Sequence, residues 1–272
     1  MSDRQRKSQK AIHLGTHGEN YGSWMSNPVF YMVGGLTALA ALLAVLSFAV
    51  FHIFALGILF VIIVAGLLAL LGWITWIRRQ YAFDGGRIME RVHQTILSHM
   101  DYDGKGTLLD VGCGSGALSI RAALTWQETK VVGIDYWAPV YNYSQALCEK
   151  NAVSEGAGDR CTFCRGDANK LDFPDGSFDA VVSNYVYHNI TGADKQQLLL
   201  ETLRVLKKGG VFALNDEMKP GMYGDMEAFA QKLRDMGYEE VRLIDTAKEV
   251  FGSHRRAAMM MLGESKMLAG RK

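Results

Sequence analysis

The stretch Leu108-Leu109-Asp110-Val111-Gly112-Cys113-Gly114-Ser115-Gly116-Ala117 decides the fold of this 272-residue chain. It starts as a short apolar run, passes through three glycines and ends in a segment with helical periodicity. It therefore predicts a buried strand, a tight turn and a helix. Glycine permits a tight backbone path and the close approach of a ligand, and the amides at a helix start favour an anionic group. We interpret the stretch as a nucleotide-binding turn.

Short apolar runs and amphipathic stretches alternate from about residue 81 to the C-terminus. This alternation predicts an α/β fold with a mostly parallel, Rossmann-like sheet and helices on both faces. The predicted strands are Thr107–Val111, Val131–Asp135, Cys161–Arg165, Phe178–Ser183, Val211–Asn215, Val241–Asp245 and Met267–Ala269. The predicted helices are Gly86–His99, Ala117–Thr125, Tyr143–Glu155, Ala193–Leu206, Met226–Met236 and Ala247–Met261.

The glycine pattern by itself leaves two cofactor classes open. Gly112-x-Gly114-x-x-Ala117 satisfies the looser dinucleotide fingerprint, and Asp135 ends the second strand, where a ribose-binding carboxylate belongs in either class. An NAD-linked oxidoreductase is therefore one hypothesis.

Other positions make the resemblance specific. Asp110, two residues before Gly112, and the third glycine at Gly116 resemble motif I of the class I S-adenosylmethionine (SAM) dependent methyltransferases. Dinucleotide folds usually place a small or apolar residue at the position of Asp110, because a carboxylate there would repel the pyrophosphate. Three later stretches also resemble that family, in the family's order: residues 166–168, residues 171–182, which look like the quinone-methyltransferase branch, and residues 203–210.

The resemblance covers about residues 81–272 and implies a SAM site at the ends of the strands. The residues that it implies for the cofactor are Asp110, Gly112, Gly114, Gly116, Asp135, Tyr136, Trp137, Asp167 and Asn184. The glycines would shape the pocket for the methionine part, with Asp110 at its amino end.

The remaining implied roles concern the nucleoside and the acceptor. Asp135 would accept both ribose hydroxyls, which suits a group with two acceptor oxygens. Tyr136 or Trp137 would cover an adenine face, and Asp167 would accept from the adenine amino group. Asn184 would line the route between cofactor and acceptor. For any one of these residues, an ordinary turn, a helix cap or a solvated loop is the alternative.

Methyl transfer from a sulfonium is an in-line displacement, so the protein aligns the reactants and, where needed, removes a proton. A base would stand near the carboxyl ends of the fourth and fifth strands. The candidates there are His188, Asn189, Asp216 and Glu217. We favour His188 as the catalytic residue because an imidazole titrates near neutrality. Packing or helix capping is the alternative role of this side chain.

Several acceptor classes are disfavoured. Residues 78–272 hold 25 basic and 26 acidic residues, so this part of the chain lacks the positive excess of a nucleic-acid binder. Ser183-Asn184-Tyr185-Val186 also lacks the Asn/Asp-Pro-Pro-aromatic motif of enzymes that methylate exocyclic amines of bases. We see no acidic metal cluster of the catechol-methylating type. We expect a small-molecule or lipid acceptor, no nucleic-acid partner and no metal.

The segment from Val29 to Ile77 contains no Asp, Glu, Lys or Arg in 49 consecutive positions. A single helix of that length would be roughly 73 Å long at about 1.5 Å per residue, more than twice the hydrocarbon thickness of about 30 Å. The segment therefore predicts a transmembrane hairpin with helices at Val29–Val50 and Ala55–Ile77. The predicted domains are a cytoplasmic segment at 1–28, the hairpin at 29–77 and the methyltransferase domain at 78–272.

The flanks of the hairpin predict its orientation. Cations precede the first helix and follow the second, and the turn between them has none, so both termini should face the cytoplasm. These cations are Arg4, Arg6, Lys7, Lys10, Arg78, Arg79, Arg87 and Arg91. Small residues four apart predict close helix contact, and aromatic residues predict interfacial belts. The small pairs are Gly34 with Ala38, Ala40 with Ala44, and Ala65 with Ala69; the aromatic residues are Tyr21, Trp24, Tyr31, Trp73, Trp76 and Tyr81.

Two other features carry less information. Cys161-x-x-Cys164 resembles half of a zinc site, but no second pair follows, and residues three apart on a strand point to opposite faces. We interpret these cysteines as reduced thiols of a cytosolic domain. His52 lies in the hairpin turn and receives no function.

Our hypothesis is a membrane-anchored methyltransferase, and the hairpin favours a lipophilic acceptor. A membrane protein that binds SAM or S-adenosylhomocysteine without turnover, as a sensor or scaffold, is the alternative.

Overall fold

The computed structural model describes residues 14–15, 17, 21, 27–138 and 143–272. Two apolar helices come first, α1 (Asn27–Ala49) and α2 (Phe54–Tyr81), and they pack against each other as a hairpin. Both are long and apolar enough to cross a membrane. Only 17% and 6% of their most apolar windows are buried within the chain. The N-terminal cations Arg4, Arg6, Lys7 and Lys10, and Trp24, lie outside the described residues.

The contact between the two helices follows a seam along α1. Its buried residues are Val33, Ala40, Ala44 and Ser47, which recur at helical spacing on one face. The predicted contact at Ala40 and Ala44 is therefore confirmed. Ala38, Ala65 and Ala69 are exposed, so the other two small pairs were wrong. On α2 the close approach occurs instead at Gly57, where a Cβ atom would lie 2.6 Å from a ring carbon of Phe48.

A seven-stranded sheet forms the body of the remaining chain, in the order β3-β2-β1-β4-β5-β7-β6. Strands β1 to β5 pair in parallel, whereas β7 runs antiparallel to both β5 and β6. Because most strands are parallel, their carboxyl ends share one edge, and open α/β sheets bind ligands at that edge. The strands are β1 (Lys105–Val111), β2 (Glu128–Asp135), β3 (Cys161–Arg165), β4 (Phe178–Asn184), β5 (Leu206–Glu217), β6 (Glu240–Ile244) and β7 (Ser265–Arg271).

Helices cover both faces of the sheet, as the alternating pattern predicted. Successive residues of a strand point to opposite faces, so Leu108 belongs to one hydrophobic core and Leu109 to the other. The helices are α3 (Ile88–Ser98), α4 (Ala117–Thr125), α5 (Gln145–Ser154), α6 (Lys195–Arg204), α7 (Pro220–Tyr223), α8 (Met226–Asp235), α9 (Thr246–Phe251) and α10 (His254–Met259), with a 3-10 turn at Tyr187–Asn189.

The predicted helix Ala247–Met261 was wrong as a single element. Gly252 has a φ of 76° and ends α9, and the Ser253 side chain then accepts from the Arg256 amide at the start of α10. A left-handed glycine followed by a serine cap is a common way to stop one helix and begin another. The chain therefore turns here and brings α10 toward the end of α2, where the Tyr81 hydroxyl donates to the Met260 carbonyl.

Residues that precede the hairpin in sequence pack on the α/β domain that follows it. Glu155, just after α5, accepts from the Gly15 amide at 2.7 Å and from the Tyr21 hydroxyl at 3.0 Å. The Tyr21 ring also lies 4.8 Å from the ring of Phe83, between centroids. The described part of the N-terminal segment is therefore held on the domain by polar and aromatic contacts.

Candidate functional site

The glycine turn after β1 has the tight path that its sequence predicted. Gly112 and Cys113 both donate their amides to the carbonyl of Ile134, at 2.8 and 2.9 Å, which draws the turn against β2. Gly112 has a φ of 75°, and a Cβ atom there would lie 2.6 and 2.9 Å from Cγ1 and Cβ of Val186. Glycine is required at this position for two reasons, the backbone conformation and the neighbouring side chain. The turn ends at Gly116, the N-cap of α4.

Asp110 lies beneath this turn and is buried. Its carboxylate accepts from the Ser119 hydroxyl at 2.5 Å. Burial raises the pKa of Asp110 to about 7, because an apolar environment disfavours the charged form. The Ser119 bond opposes this shift, and the nearby Asp135 charge adds to it. The side chain is therefore built into the floor of the turn.

Asp135 ends β2 beside the same turn, and backbone amides hold its two oxygens. One oxygen accepts from the Gly114 amide at 2.9 Å, and the other accepts from the Trp137 amide at 2.6 Å. A carboxylate oxygen has two lone-pair sites, so each oxygen keeps one for a ligand hydroxyl. The indole of Trp137 reaches back and donates to the Gly114 carbonyl at 3.0 Å. Asp135, Trp137 and Gly114 therefore form one unit.

Tyr136 and Asp167 lie further out than Asp135. The Tyr136 side chain is exposed, and the Arg165 guanidinium stacks over its ring at 4.7 Å. Asp167 is also exposed, and one of its oxygens accepts from the amide and the side chain of Asn169. Tyr136 and Trp137 thus differ, because Tyr136 presents a free ring face to solvent whereas Trp137 lies along the glycine turn.

Asn184, at the end of β4, belongs to a chain of polar side chains. Its carbonyl oxygen accepts from Asn215 at 2.9 Å, and the oxygen of Asn215 accepts from Thr246 at 2.8 Å. Thr246 in turn bonds Ser265, which bonds the hydroxyl of Tyr185. These bonds orient the Asn184 amide so that its NH2 group faces away from Asn215, and it reaches the Met89 sulfur at 3.8 Å. The chain therefore fixes which end of Asn184 points toward the site.

His188 and Asp216 meet at the carboxyl ends of β4 and β5. The Nδ1 atom of His188 lies 2.5 Å from an oxygen of Asp216, and the other oxygen accepts from the amides of Tyr187 and His188. Asp216 is buried, whereas the His188 side chain is 30% exposed. With Nδ1–H donating to the carboxylate, Nε2 is the nitrogen left to accept a proton. The structure thus supplies a partner that positions the predicted base.

The cysteine motif shows no paired function. Cys161 packs in one core and Cys164 against the other, so their side chains lie on opposite faces of β3. Burial raises the pKa of Cys161 to about 12, which keeps it as a neutral thiol. Within the described ranges, no group of three or more His, Cys, Asp or Glu side chains is arranged to hold a metal ion.

Residues 109–214 match the methyltransferase domain family. This part of the chain is a methyltransferase domain. The domain is 30% identical over 151 residues to the 27-O-demethylrifamycin SV methyltransferase of Amycolatopsis mediterranei, covering 56% of this chain and 52% of that protein. It is also 30% identical over 115 residues to the demethylmenaquinone methyltransferase of Roseiflexus castenholzii, covering 42% of this chain and 44% of that protein.

Another sequence relative is named for a different acceptor, and a solved structure shows the same fold. The rRNA N(6)-adenosine-methyltransferase metl-5 of Caenorhabditis elegans is 30% identical over 132 residues, 47% of this chain and 58% of that protein. The solved geranyl diphosphate C-methyltransferase of Streptomyces coelicolor A3(2), in complex with S-adenosylhomocysteine, superposes with a TM-score of 0.53 at 14% identity, over 68% of this chain and 80% of that chain. The chain spans about half the length of the curated relatives that it matches.

The predicted Rossmann-like methyltransferase fold is therefore confirmed, and with it the family's cofactor class, SAM. The residues present fit that cofactor. The amides at the start of α4 suit a carboxylate, and Asp135 offers spare acceptor sites beside the turn. Sequence reasoning missed Thr246 and Ser265, because their link to Asn184 depends on the antiparallel β7 lying beside β5.

Proposed function

We propose that the chain is a membrane-anchored, SAM-dependent methyltransferase that modifies a small lipophilic acceptor. The observation that carries the proposal is the arrangement at one sheet edge, where Asp135 and the glycine turn adjoin β1 and β2, and His188 with Asp216 adjoins β4 and β5. One half suits a nucleoside cofactor and the other suits proton removal. In this proposal the domain covers residues 78–272 and lies on the cytoplasmic side.

SAM supplies a methyl group on a sulfonium, which a nucleophilic acceptor attacks in line. Asp135 binds the ribose hydroxyls, the glycine turn faces the methionine part, and Tyr136 offers its exposed ring face to the adenine. Asp167 accepts from the adenine amino group, and the NH2 group of Asn184 lines the route to the acceptor. Alignment of this kind removes much of the entropic barrier to a displacement between two reactants.

His188 removes the proton of the acceptor. The proton that the acceptor atom would give up on methylation would pass to Nε2 of His188. Asp216 holds Nδ1 and stabilises the imidazolium that results. A buried carboxylate is effective in this role because the surroundings screen its charge weakly.

The membrane part of the proposal is supported by α1 and α2. These helices leave most of their apolar surface uncovered by the rest of the chain, which costs free energy in water and suits lipid. Arg78 and Arg79 lie in the last turn of α2, and Trp73 and Trp76 precede them. This order of aromatic and basic residues is typical of a cytoplasmic membrane interface. We infer that both termini face the cytoplasm.

A small acceptor is supported by charge and by the relatives. Residues 78–272 are electrostatically neutral overall, which disfavours a polyanionic substrate. Two relatives are named for 27-O-demethylrifamycin SV and demethylmenaquinone. The relative named for rRNA makes a nucleic acid the acceptor class that an assay should include as a control.

The test separates cofactor binding from turnover. We expect His188→Ala to bind SAM within about twofold of the unchanged protein and to lose at least tenfold in methyl transfer, since positioned proton removal contributes about 10²–10⁴-fold. Asp135→Ala should lose cofactor binding itself. Calorimetry with S-adenosylhomocysteine and transfer of a labelled methyl group measure the two steps. A His188→Ala protein with normal transfer would remove this residue from the mechanism.

A further inference from the structure

Glu217, the last residue of β5, has one carboxylate oxygen that accepts a hydrogen bond and one that does not. The residue is 6% exposed. Its Oε1 atom accepts from the Glu264 amide at 3.0 Å. Its Oε2 atom is buried and has no hydrogen-bond partner within the described part of the chain. A buried polar atom without a hydrogen-bond partner costs free energy, and the cost is larger when the group is charged.

The surroundings of Glu217 give this oxygen little compensation. Burial raises the pKa of its carboxyl group, and the Glu264 amide, Lys219 and His188 oppose the shift. The charge of Glu217 acts on three phenols, those of Tyr81, Tyr185 and Tyr223, and the first two have hydrogen-bond partners elsewhere. Tyr185 bonds the Ser265 hydroxyl at 2.8 Å, and Tyr81 donates to the Met260 carbonyl. The Tyr81 and Tyr185 hydroxyls are therefore already engaged. The buried Tyr223 hydroxyl makes no hydrogen bond within the described part of the chain, and it interacts more strongly with Asp216 than with Glu217.

The position of Glu217 relates it to the candidate site. It directly follows Asp216, the partner of His188, and it lies at the sheet edge where β4 and β5 end. Its charge also acts on Tyr81, the last residue of α2. The Glu217 carboxylate therefore interacts both with the proposed base and with the end of the second apolar helix.

We propose that Oε2 of Glu217 binds a hydrogen-bond donor of the acceptor, a hydroxyl or an amino group, and so orients the acceptor beside His188. The inference rests on the proposed function, and it adds that the acceptor carries a protic polar head as well as an apolar body. The role is one of binding and positioning, so it includes no further covalent step.

The Glu264 amide makes a sharp test of this role possible. In a Glu217→Gln variant, that amide holds the side-chain oxygen at the Oε1 position, so the NH2 group takes the place of Oε2. The variant keeps the shape of the side chain but presents a donor where the acceptor head needs an oxygen. Glu264→Gln is the matched control, because it changes a nearby exposed carboxylate and leaves the Glu264 amide in place.

Binding is measured on the full-length protein in mild detergent, saturated with S-adenosylhomocysteine so that no turnover occurs. The probes are 4-nonylphenol, n-nonylamine and the donor-free ether 4-nonylanisole. We expect the unchanged protein to bind the phenol or the amine at least tenfold more tightly than the ether, and Glu217→Gln to lose that preference. A hydrogen bond to a charged group is worth about that factor or more. Which of the two probes is preferred identifies the head group.

Three results of the probe measurements would overturn the inference: equal binding of the ether, an unchanged preference in Glu217→Gln, or the same loss in Glu264→Gln. Failure of the proposed function has a different signature, because the unchanged protein would then transfer no labelled methyl group from SAM, whether or not it binds S-adenosylhomocysteine. Cofactor binding in Glu217→Gln should stay within about twofold of the unchanged protein. A parallel loss of cofactor binding would assign Glu217 a structural role and also overturn the proposal.

Discussion

The change Gly112→Ala tests how the sequence shapes the cofactor turn. An alanine at a φ of 75° costs about 1–2 kcal/mol relative to glycine. Its Cβ would also overlap Val186, at 2.6 Å from Cγ1 and 2.9 Å from Cβ, and overlaps of this kind cost about 1–3 kcal/mol. We therefore expect a loss of about 2–5 kcal/mol in the free energy of unfolding, and weaker cofactor binding.

Gly176→Ala is the matched control. Gly176 has a φ of 62°, but a Cβ atom there would meet only the Cα of Lys207, at 3.8 Å. This variant should lose only the backbone contribution of about 1–2 kcal/mol. At about 2–4 °C per kcal/mol for a domain of this size, Gly112→Ala should unfold roughly 2–12 °C below Gly176→Ala.

The assay is the midpoint of heat unfolding of the full-length protein in detergent, with S-adenosylhomocysteine binding measured alongside. Adding Val186→Ala to Gly112→Ala removes the overlap and should restore part of the loss, beyond what the two single changes predict when summed. Equal midpoints for Gly112→Ala and Gly176→Ala, together with no coupling to Val186→Ala, would refute the reasoning.

Three further outcomes follow from the structure. Asp216→Asn should lower methyl transfer at least tenfold, because His188 loses the carboxylate that orients it. Binding of S-adenosylhomocysteine should stay within about twofold. Labelled transfer and calorimetry measure the two quantities, and a parallel loss of binding would contradict this expectation. Burial raises the pKa of Asp110 to about 7 in the folded state, whereas the carboxyl group of an unfolded chain titrates at about 3.9. Between these pH values the folded protein binds more protons than the unfolded protein. The free energy of unfolding should therefore fall as the pH rises from about 4 to 7. Unfolding midpoints at pH 5 and pH 8 should therefore differ less in Asp110→Asn than in the unchanged protein, and equal differences would show that Asp110 is not the group responsible. Trp73 and Trp76 are 42% and 41% exposed, so they should account for most of the quenching of tryptophan fluorescence in vesicles that contain brominated lipids. If quenching does not change in the double variant Trp73→Phe with Trp76→Phe, the hairpin is not inserted in the bilayer.

The sequence was most informative where local chemistry and tertiary structure agree. The bounds of Ala117–Thr125 and Cys161–Arg165 were predicted without error, because glycines or polar turns flank a short periodic segment. The break at Gly252 was missed, although Gly252 followed by Ser253 carries a readable stop and start signal. The apolar periodicity that continues across the break concealed it.

The contact between α1 and α2 could not be predicted from the sequence with the same accuracy. A segment that is apolar on all sides has no polar face to show which side of a helix meets its neighbour. Several small pairs were therefore equivalent in sequence, and only Ala40 with Ala44 lies at the contact. The bulky partner that decides the contact at Gly57 is Phe48, nine positions away.

In the candidate site, the residues that lie next to glycines or at strand ends were predictable, and their partners were not. Asp135 follows from its position at the end of β2, but its bonds to Gly114 and Trp137 depend on how the turn folds. The chain from Asn184 to Tyr185 joins five side chains from four parts of the sequence. No local pattern marks such a set, because an antiparallel last strand brings its members together.

The central claim is transfer of a methyl group to a lipophilic acceptor, and one measurement tests it directly. Full-length protein in mild detergent is incubated with methyl-labelled SAM and an extract of the cells it comes from, and the products are partitioned between organic and aqueous phases. The account predicts label in the organic phase that is absent with Asp135→Ala. Label only in the aqueous phase would contradict the lipophilic acceptor, and no transfer to either phase despite bound SAM would contradict the enzyme itself.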